Sequence, residues 1–234
     1  PNTTDAAGRR YRYGHQPQIA AWNLNRLANA LVPVIDEEPN DEWIACLENG
    51  LKDYTNTFNQ GWNDMMAAKL GFQDYRPEDE DLIAELLTIL QLAETDMTIF
   101  FRCLGNLPTQ PLHERDWLEK IDGAFYQREQ LNEDYLKRAG QWFASYRQRL
   151  ETDDRSEDQR RQSMHQTNPK YVLRNYLAQL AIDKAEEGDY SLIHELHEVL
   201  RNPYDDQPEK EQYAAKRPDW ARHRAGCSML SCSS

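Results

Sequence analysis

The chain has 234 residues, enough to bury one sizeable core, and its 27 Lys and Arg against 40 Asp and Glu give a formal net charge of −13. That balance works against attraction to phosphate backbones and anionic lipid, which excludes nucleic acid and membrane surfaces as general partners. No run of about 18 uninterrupted apolar residues offers a membrane span, and the opening residues, Pro1 to Tyr13, hold neither an initiator Met nor an apolar signal region. The expectation is a soluble chain that begins inside a longer protein.

Arg9, Arg10 and Arg12 interleave with Tyr11 and Tyr13 in a basic island, read as a loop. From Pro17, apolar residues at Ile19, Trp22, Leu24, Leu27, Ala28 and Leu31 predict a helix that ends at Pro33. Trp43, Ile44, Leu47, Leu51, Tyr54, Phe58, Trp62, Met65, Met66 and Leu70 recur in steps of three or four and predict a long amphipathic helix stopped at Gly71. Gly50 and Gly61 inside it suggest a bend or a close helix contact. Pro77 and the acidic run Glu78 to Asp81 open a further helix, whose apolar face is expected to continue from Leu82 to Leu104. Gly105, Pro108 and Pro111 break the chain, Trp117 to Ile121 suits a short turn, and Leu136, Ala139, Trp142, Phe143, Tyr146 and Leu150 mark another helix.

Residues 151–166 are almost all polar or charged and read as a solvated helix or a mobile connector. Asn168 as N-cap and Pro169 at the first helical position would start a helix ending at Gly188, and Asp189 can cap the next one, through Leu192, Ile193, Leu196, Val199 and Leu200. Beyond Arg201, Pro203, Pro208 and Pro218 prevent a long helix, so an extended tail is expected. Alternating β-branched runs are missing. The architecture is therefore all-α.

Few side-chain groupings suggest chemistry. His194 and His197 lie three apart on a helix, but the zinc-protease pattern needs a four-residue spacing with Glu beside the first His, so a surface pair is the simpler reading. The acidic runs fit solvated faces and helix dipoles better than magnesium ligands. No glycine-rich phosphate loop and no Gly-x-Ser-x-Gly elbow occurs. The Arg9 to Tyr13 island is either an ordinary surface loop or a contact for a phosphate or an acidic substrate through Arg9, Arg10 and Arg12. Trp22, Trp43, Trp62, Trp117 and Trp142 fall at apolar helical positions and are expected in a core. Cys46 and Cys103 sit inside helical patterns, and four Cys in this length do not make a disulfide framework, so a reducing compartment is the default. Cys232, in Ser-Cys-Ser-Ser at the very end, has no packing role to suggest. It is a redox thiol, an idle exposed thiol, or a local partner for Cys227.

Three separated stretches resemble the selenoprotein O, or YdiU-like, family: Gln16-Pro17 with Trp22-Asn23-Leu24 and Arg26-Leu27-Ala28; Asn168 through Tyr176 with Ala178; and Pro218-Asp219-Trp220 with the terminal Cys232-Ser233-Ser234. Lys69-Leu70-Gly71 is a minor anchor between them. The resemblance implies a kinase-like fold in which residues 1–202 form most of the helical carboxy-terminal lobe and residues 203–234 an extended tail ending in a redox cysteine. It implies a parent protein that transfers AMP from ATP to Ser, Thr or Tyr hydroxyls of protein substrates, with ATP and Mg or Mn bound mainly upstream of residue 1. No catalytic, cofactor-binding or metal residue is then expected in this chain, which would be inactive by itself. It also implies that Cys232 forms a redox bond with a cysteine just upstream of residue 1, with Cys227 as a competing or resolving thiol. The compartment would be the cytoplasm in a bacterium and the mitochondrion in a eukaryote. The competing reading is an all-helical interaction module without catalysis, docking partners through its acidic face and the Arg9 to Tyr13 loop.

Overall fold

The computed structural model describes residues 10, 12–35, 41–110, 116–224 and 226–227. Among them the architecture is all-α: α1 (Gln16–Ile35), α2 (Asp41–Leu70), α3 (Asp79–Leu92), α4 (Met97–Leu104), α5 (Asp116–Ile121), α6 (Glu133–Leu150), α7 (Glu157–Thr167), α8 (Asn175–Glu186) and α9 (Ser191–Arg201), joined by short 3-10 turns. The described residues contain one isolated β-bridge, Thr95 to Phe125, and no strand ladder. The chain divides into two compact units, residues 1–64 and residues 65–234.

The first unit holds α1 and most of α2. The Tyr54 hydroxyl donates to the Pro17 carbonyl across 3.0 Å, tying the two helices together. None of its described residues is fully buried, and Trp22, Trp43 and Trp62 are all exposed, against the expectation of a core position for each. Pro33 does not end α1, which continues to Ile35. With only two residues following, the proline removes a single hydrogen bond from the last turn. A Cβ at Gly50 or Gly61 would meet no atom within 4 Å, so neither glycine serves a close contact.

The second unit has a continuous core in which Leu70, Leu86, Phe100, Phe101, Leu104, Ile121, Trp142, Tyr146 and Met164 are buried. Trp142 stacks on Tyr146 with ring centroids 5.0 Å apart, and its indole N–H donates to the Leu82 carbonyl at 2.8 Å, locking α6 to α3. The Tyr146 hydroxyl donates to the Leu70 carbonyl at 2.7 Å, and burial pushes its pKa up to about 12, with Arg160 opposing. Gly71 ends α2 with φ of 78°, as its place after Leu70 foretells.

Two sequence expectations are corrected in this unit, and of the two readings of the segment after Leu150 the helix holds. The apolar face from Leu82 to Leu104 is two helices, because Ala93 turns extended and the Asp96 carboxylate caps α4 through the Ile99 N–H at 3.1 Å. The polar segment after Leu150 is an ordered helix with a Ser156–Gln159 capping box, and it buries Arg160 and Met164. Asn168 does not start a helix. Pro169 disfavours helical backbone at the residue before it, so Asn168 ends α7 in extended conformation and its side-chain amide donates to the Lys69 carbonyl at 2.9 Å. Lys170 and Tyr171 then donate their N–H groups to the Pro203 carbonyl. Helix α8 begins only at Asn175.

A second apolar cluster joins α8 and α9 to the segment after them: Tyr171, Tyr176, Leu177, Leu196, Val199, Tyr213, Ala221 and Cys227. Among the described residues the stretch beyond Arg201 has no long helix, as its prolines require, yet residues 203–224 and 226–227 do not trail away. They form 3-10 turns at Pro208–Tyr213 and Asp219–Arg222 and lie on this cluster.

Candidate functional site

Of the residues singled out from the sequence, Cys232 and Arg9 lie outside the described residues, while Cys227, Arg10 and Arg12 are described. Cys227 is 4 % exposed and unbonded to another sulfur among the described residues. Its N–H donates to the Arg224 carbonyl at 3.2 Å, and the Arg224 guanidinium donates to both carboxylate oxygens of Asp183 on α8, at 2.7 and 2.6 Å. Gly226 has φ of 78°, and a Cβ there would stand 2.2 Å from the Gln179 side-chain oxygen, so glycine lets the backbone pass close to α8. Burial raises the Cys227 thiol pKa, Arg224 pulls it down and Asp183 adds to the rise. It is a packed thiol, held largely protonated at neutral pH.

The segment carrying Cys227 is fastened by a set of ion pairs that sequence reading missed. On the α3–α4 connector, Glu94 accepts from Arg217 and Arg222, each at 2.7 Å. Burial would raise the Glu94 carboxyl, but the hydrogen bonds from Arg222 and Arg217 bring it below its ordinary value. Two residues on, Asp96 is 5 % exposed and accepts both terminal nitrogens of Arg174, one at 3.1 Å, and the Tyr126 hydroxyl at 3.2 Å. The Arg217 N–H donates to that same tyrosine oxygen at 3.2 Å. Arg174 stands in the Asn168–Asn175 run that carries the family resemblance. Its charge on an otherwise apolar boundary was the signal available in the sequence, but nothing there names a partner 78 positions earlier.

At the start of the first unit, the Arg10 guanidinium lies 4.3 Å from the Trp22 ring centre and that of Arg26 5.1 Å from the same ring. Arg12 is exposed beside them in sequence. In the second unit, a cleft of about 720 Å³ runs along α6, lined by Leu107, Trp117, Lys137, Gly140, Phe143 and Arg147 among others. His197 pairs with its neighbour Glu198 at 3.5 Å on an exposed face, in keeping with a surface pair. Among the described residues no three His, Cys, Asp or Glu side chains converge as ligands for a metal ion, and no described helix is long and apolar enough to cross a membrane.

Comparison with known proteins gives this arrangement its family. The model of the family described as "Protein adenylyltransferase SelO" matches residues 1–201. Proteins named "Protein nucleotidyltransferase YdiU" align along the whole chain, at 54 % identity in Rhodopirellula baltica, 46 % in Nitrosospira multiformis and 48 % in Flavobacterium johnsoniae. In each case the alignment covers 44 % of the relative, so the chain spans less than half the length of the curated relatives it matches. With the family model covering most of its length, the chain belongs to the SelO family of protein adenylyltransferases.

Proposed function

We propose that this chain is the carboxy-terminal, helical part of a protein adenylyltransferase that moves AMP from ATP onto Ser, Thr or Tyr hydroxyls of other proteins. The observation that carries the reading is the family match over residues 1–201, joined to 54 % identity along the whole chain with a protein nucleotidyltransferase. In such a transfer ATP supplies the adenylyl group, and a divalent metal, Mg or Mn, neutralises phosphate charge. On this reading those groups are held mainly by the part of the relatives that the chain does not span, and the lobe is kinase-like in fold. The chain's own contribution is a rigid support, in which the Asp96–Arg174 and Glu94–Arg217–Arg222 pairs fix the connector, α8 and the following segment to one another. The compartment on this reading follows the source, the cytoplasm in a bacterium and the mitochondrion in a eukaryote, and the partners are proteins that present hydroxyl side chains.

The redox part of the proposal assigns Cys232 as the acting thiol. Two thiols lose two electrons and two protons to an external oxidant as the S–S bond forms, and the partner sulfur belongs to a cysteine outside this chain. Cys227, buried as it is, serves packing. Peptide mapping of the oxidised full-length protein without reductant is expected to find Cys232 joined to a cysteine absent from this sequence; a Cys227–Cys232 link, or free thiols throughout, refutes the assignment. Calorimetry of the isolated chain is expected to show no magnesium-dependent ATP binding. Clear binding would overturn the placement of the nucleotide site outside it.

A further inference from the structure

Helix α1, 20 residues long, holds one charged residue, Arg26, where the chain's 29 % share of charged residues would put about six. Its larger aliphatic residues gather on one side. Leu24, Leu27, Leu31, Val34 and Ile35 recur at helical spacing along a single stripe. All five are exposed, from 36 % at Leu24 to 78 % at Val34, and no residue of α1 is buried. The adjoining face is polar but neutral, and part of its hydrogen bonding is internal: the Asn29 side-chain amide donates to the Asn25 carbonyl at 2.7 Å and to the Asn25 side-chain oxygen at 3.2 Å. A helix that lives at a protein surface sets charges opposite its apolar stripe; one with a stripe and almost no charge has the make-up of a helix that protein surrounds.

Two occupants compete for the stripe, a second copy of the chain and the rest of its own polypeptide. An interface between separately folded copies keeps a polar, solvated rim around an apolar centre, and α1 offers Arg26 alone as a charge for such a rim. The rest of the polypeptide is the better match. The chain spans 44 % of the relatives that align along its whole length, so more than half of each relative lies outside it. A segment joined through the backbone also meets α1 without the entropy cost of bringing two molecules together. We propose that the Leu24–Ile35 stripe of α1 is the seat of an apolar segment of the same polypeptide, drawn from the part of the relatives that this chain does not span. Helix α1 is then an interior helix of the whole protein. The inference rests on the reading of the chain as part of a longer protein, and not on the transfer of AMP.

The test is hydrogen–deuterium exchange read by peptide mass spectrometry, on the full-length protein and on the 234-residue chain. In the full-length protein the α1 amides are expected to exchange at least about a thousandfold more slowly than those of an unstructured peptide, and to keep that protection on about tenfold dilution. In the chain alone they are expected to exchange at least about a hundredfold faster than in the full-length protein, while α6, which packs in the core of the second unit, stays protected in both. Leu27→Asp is expected to lower the Tm of the full-length protein by at least about 5 °C, and the volume-conserving Leu27→Met by no more than about 2 °C. The full-length measurements decide by themselves: fast exchange of α1, or equal Tm shifts in the two variants, overturns the proposal. So does full protection of α1 in the chain alone, which would put the cover within these 234 residues. Protection lost on dilution overturns it too, and would assign the stripe to a second copy. Exchange needs neither ATP nor an acceptor, so a full-length protein that protects α1 and transfers no AMP would sink the activity reading and leave this interface standing.

Discussion

Replacing Arg174 by methionine removes the cation from a carboxylate that has almost no access to water. Asp96 is 5 % exposed; without Arg174 it retains the Tyr126 hydroxyl at 3.2 Å and the Ile99 N–H at 3.1 Å. Removing one partner of a buried ion pair costs about 3–5 kcal/mol, because the remaining charge is left uncompensated. The two surviving hydrogen bonds, one of them at a helix N-terminus, place the expected loss at the lower end, about 3 kcal/mol. With a urea dependence of about 2–3 kcal/mol per molar, the midpoint of unfolding falls by about 1–1.5 M while the slope stays constant. Asp96→Asn keeps an oxygen for capping α4 and removes the charge, so the double variant is expected to lose about 2 kcal/mol less than the sum of the singles. Chemical unfolding followed by tryptophan fluorescence and far-ultraviolet dichroism measures all three. A midpoint for Arg174→Met within about 0.3 M of the parent, or strict additivity in the double variant, refutes the buried-pair account.

Two glycines should respond oppositely to alanine. At Gly71 the φ of 78° and a Cβ 2.6 Å from the Met164 sulfur predict a loss of at least about 2 kcal/mol in urea melts, whereas Gly140, inside α6 with open space around its Cβ, should gain about 0.5–1 kcal/mol and a few degrees in Tm. The Glu94 carboxyl is held below its ordinary value, so its contribution to stability is fully present above about pH 4.5 and is lost as the pH falls through its lower folded value. Glu94→Gln should accordingly flatten the acid limb of a stability profile measured by urea melts. Asp189, which accepts from Ser191 and Lys184, should titrate near a pKa of about 2 by carbon-detected NMR. Under native conditions a thiol reagent should label exposed Cys46 quickly and Cys227 slowly, since burial both covers that sulfur and raises its pKa; equal rates would remove the packing role given to Cys227.

The helices could be read because their signals are local. Gly71, Gly188 and the apolar steps of α2, α6 and α9 are decided within a few residues of chain, and the structure places those elements where periodicity does. What escaped was decided at a distance. The break between α3 and α4 hinges on Asp96, whose partner Arg174 follows 78 positions later, and the polar look of residues 157–167 hides Arg160, which is buried because its guanidinium meets the Leu107 carbonyl and the Met164 sulfur. The Asn168 run marked the family correctly but misled about the helix start, since Pro169 fits a first turn and a helix-ending turn equally well until the Pro203 carbonyl is known to take the next two N–H groups. Trp22, Trp43 and Trp62 show the limit of periodicity in another way: spacing says which residues share a face, not whether anything covers it.

The central claim, that this chain belongs to an enzyme transferring AMP, is tested most directly by incubating the full-length protein with a divalent metal, a protein acceptor and ATP labelled on either the α- or the γ-phosphate. Acid-stable label on Ser, Thr or Tyr from the α position and none from the γ position is the expected result; γ-label on the acceptor, or no covalent label from either, would contradict it.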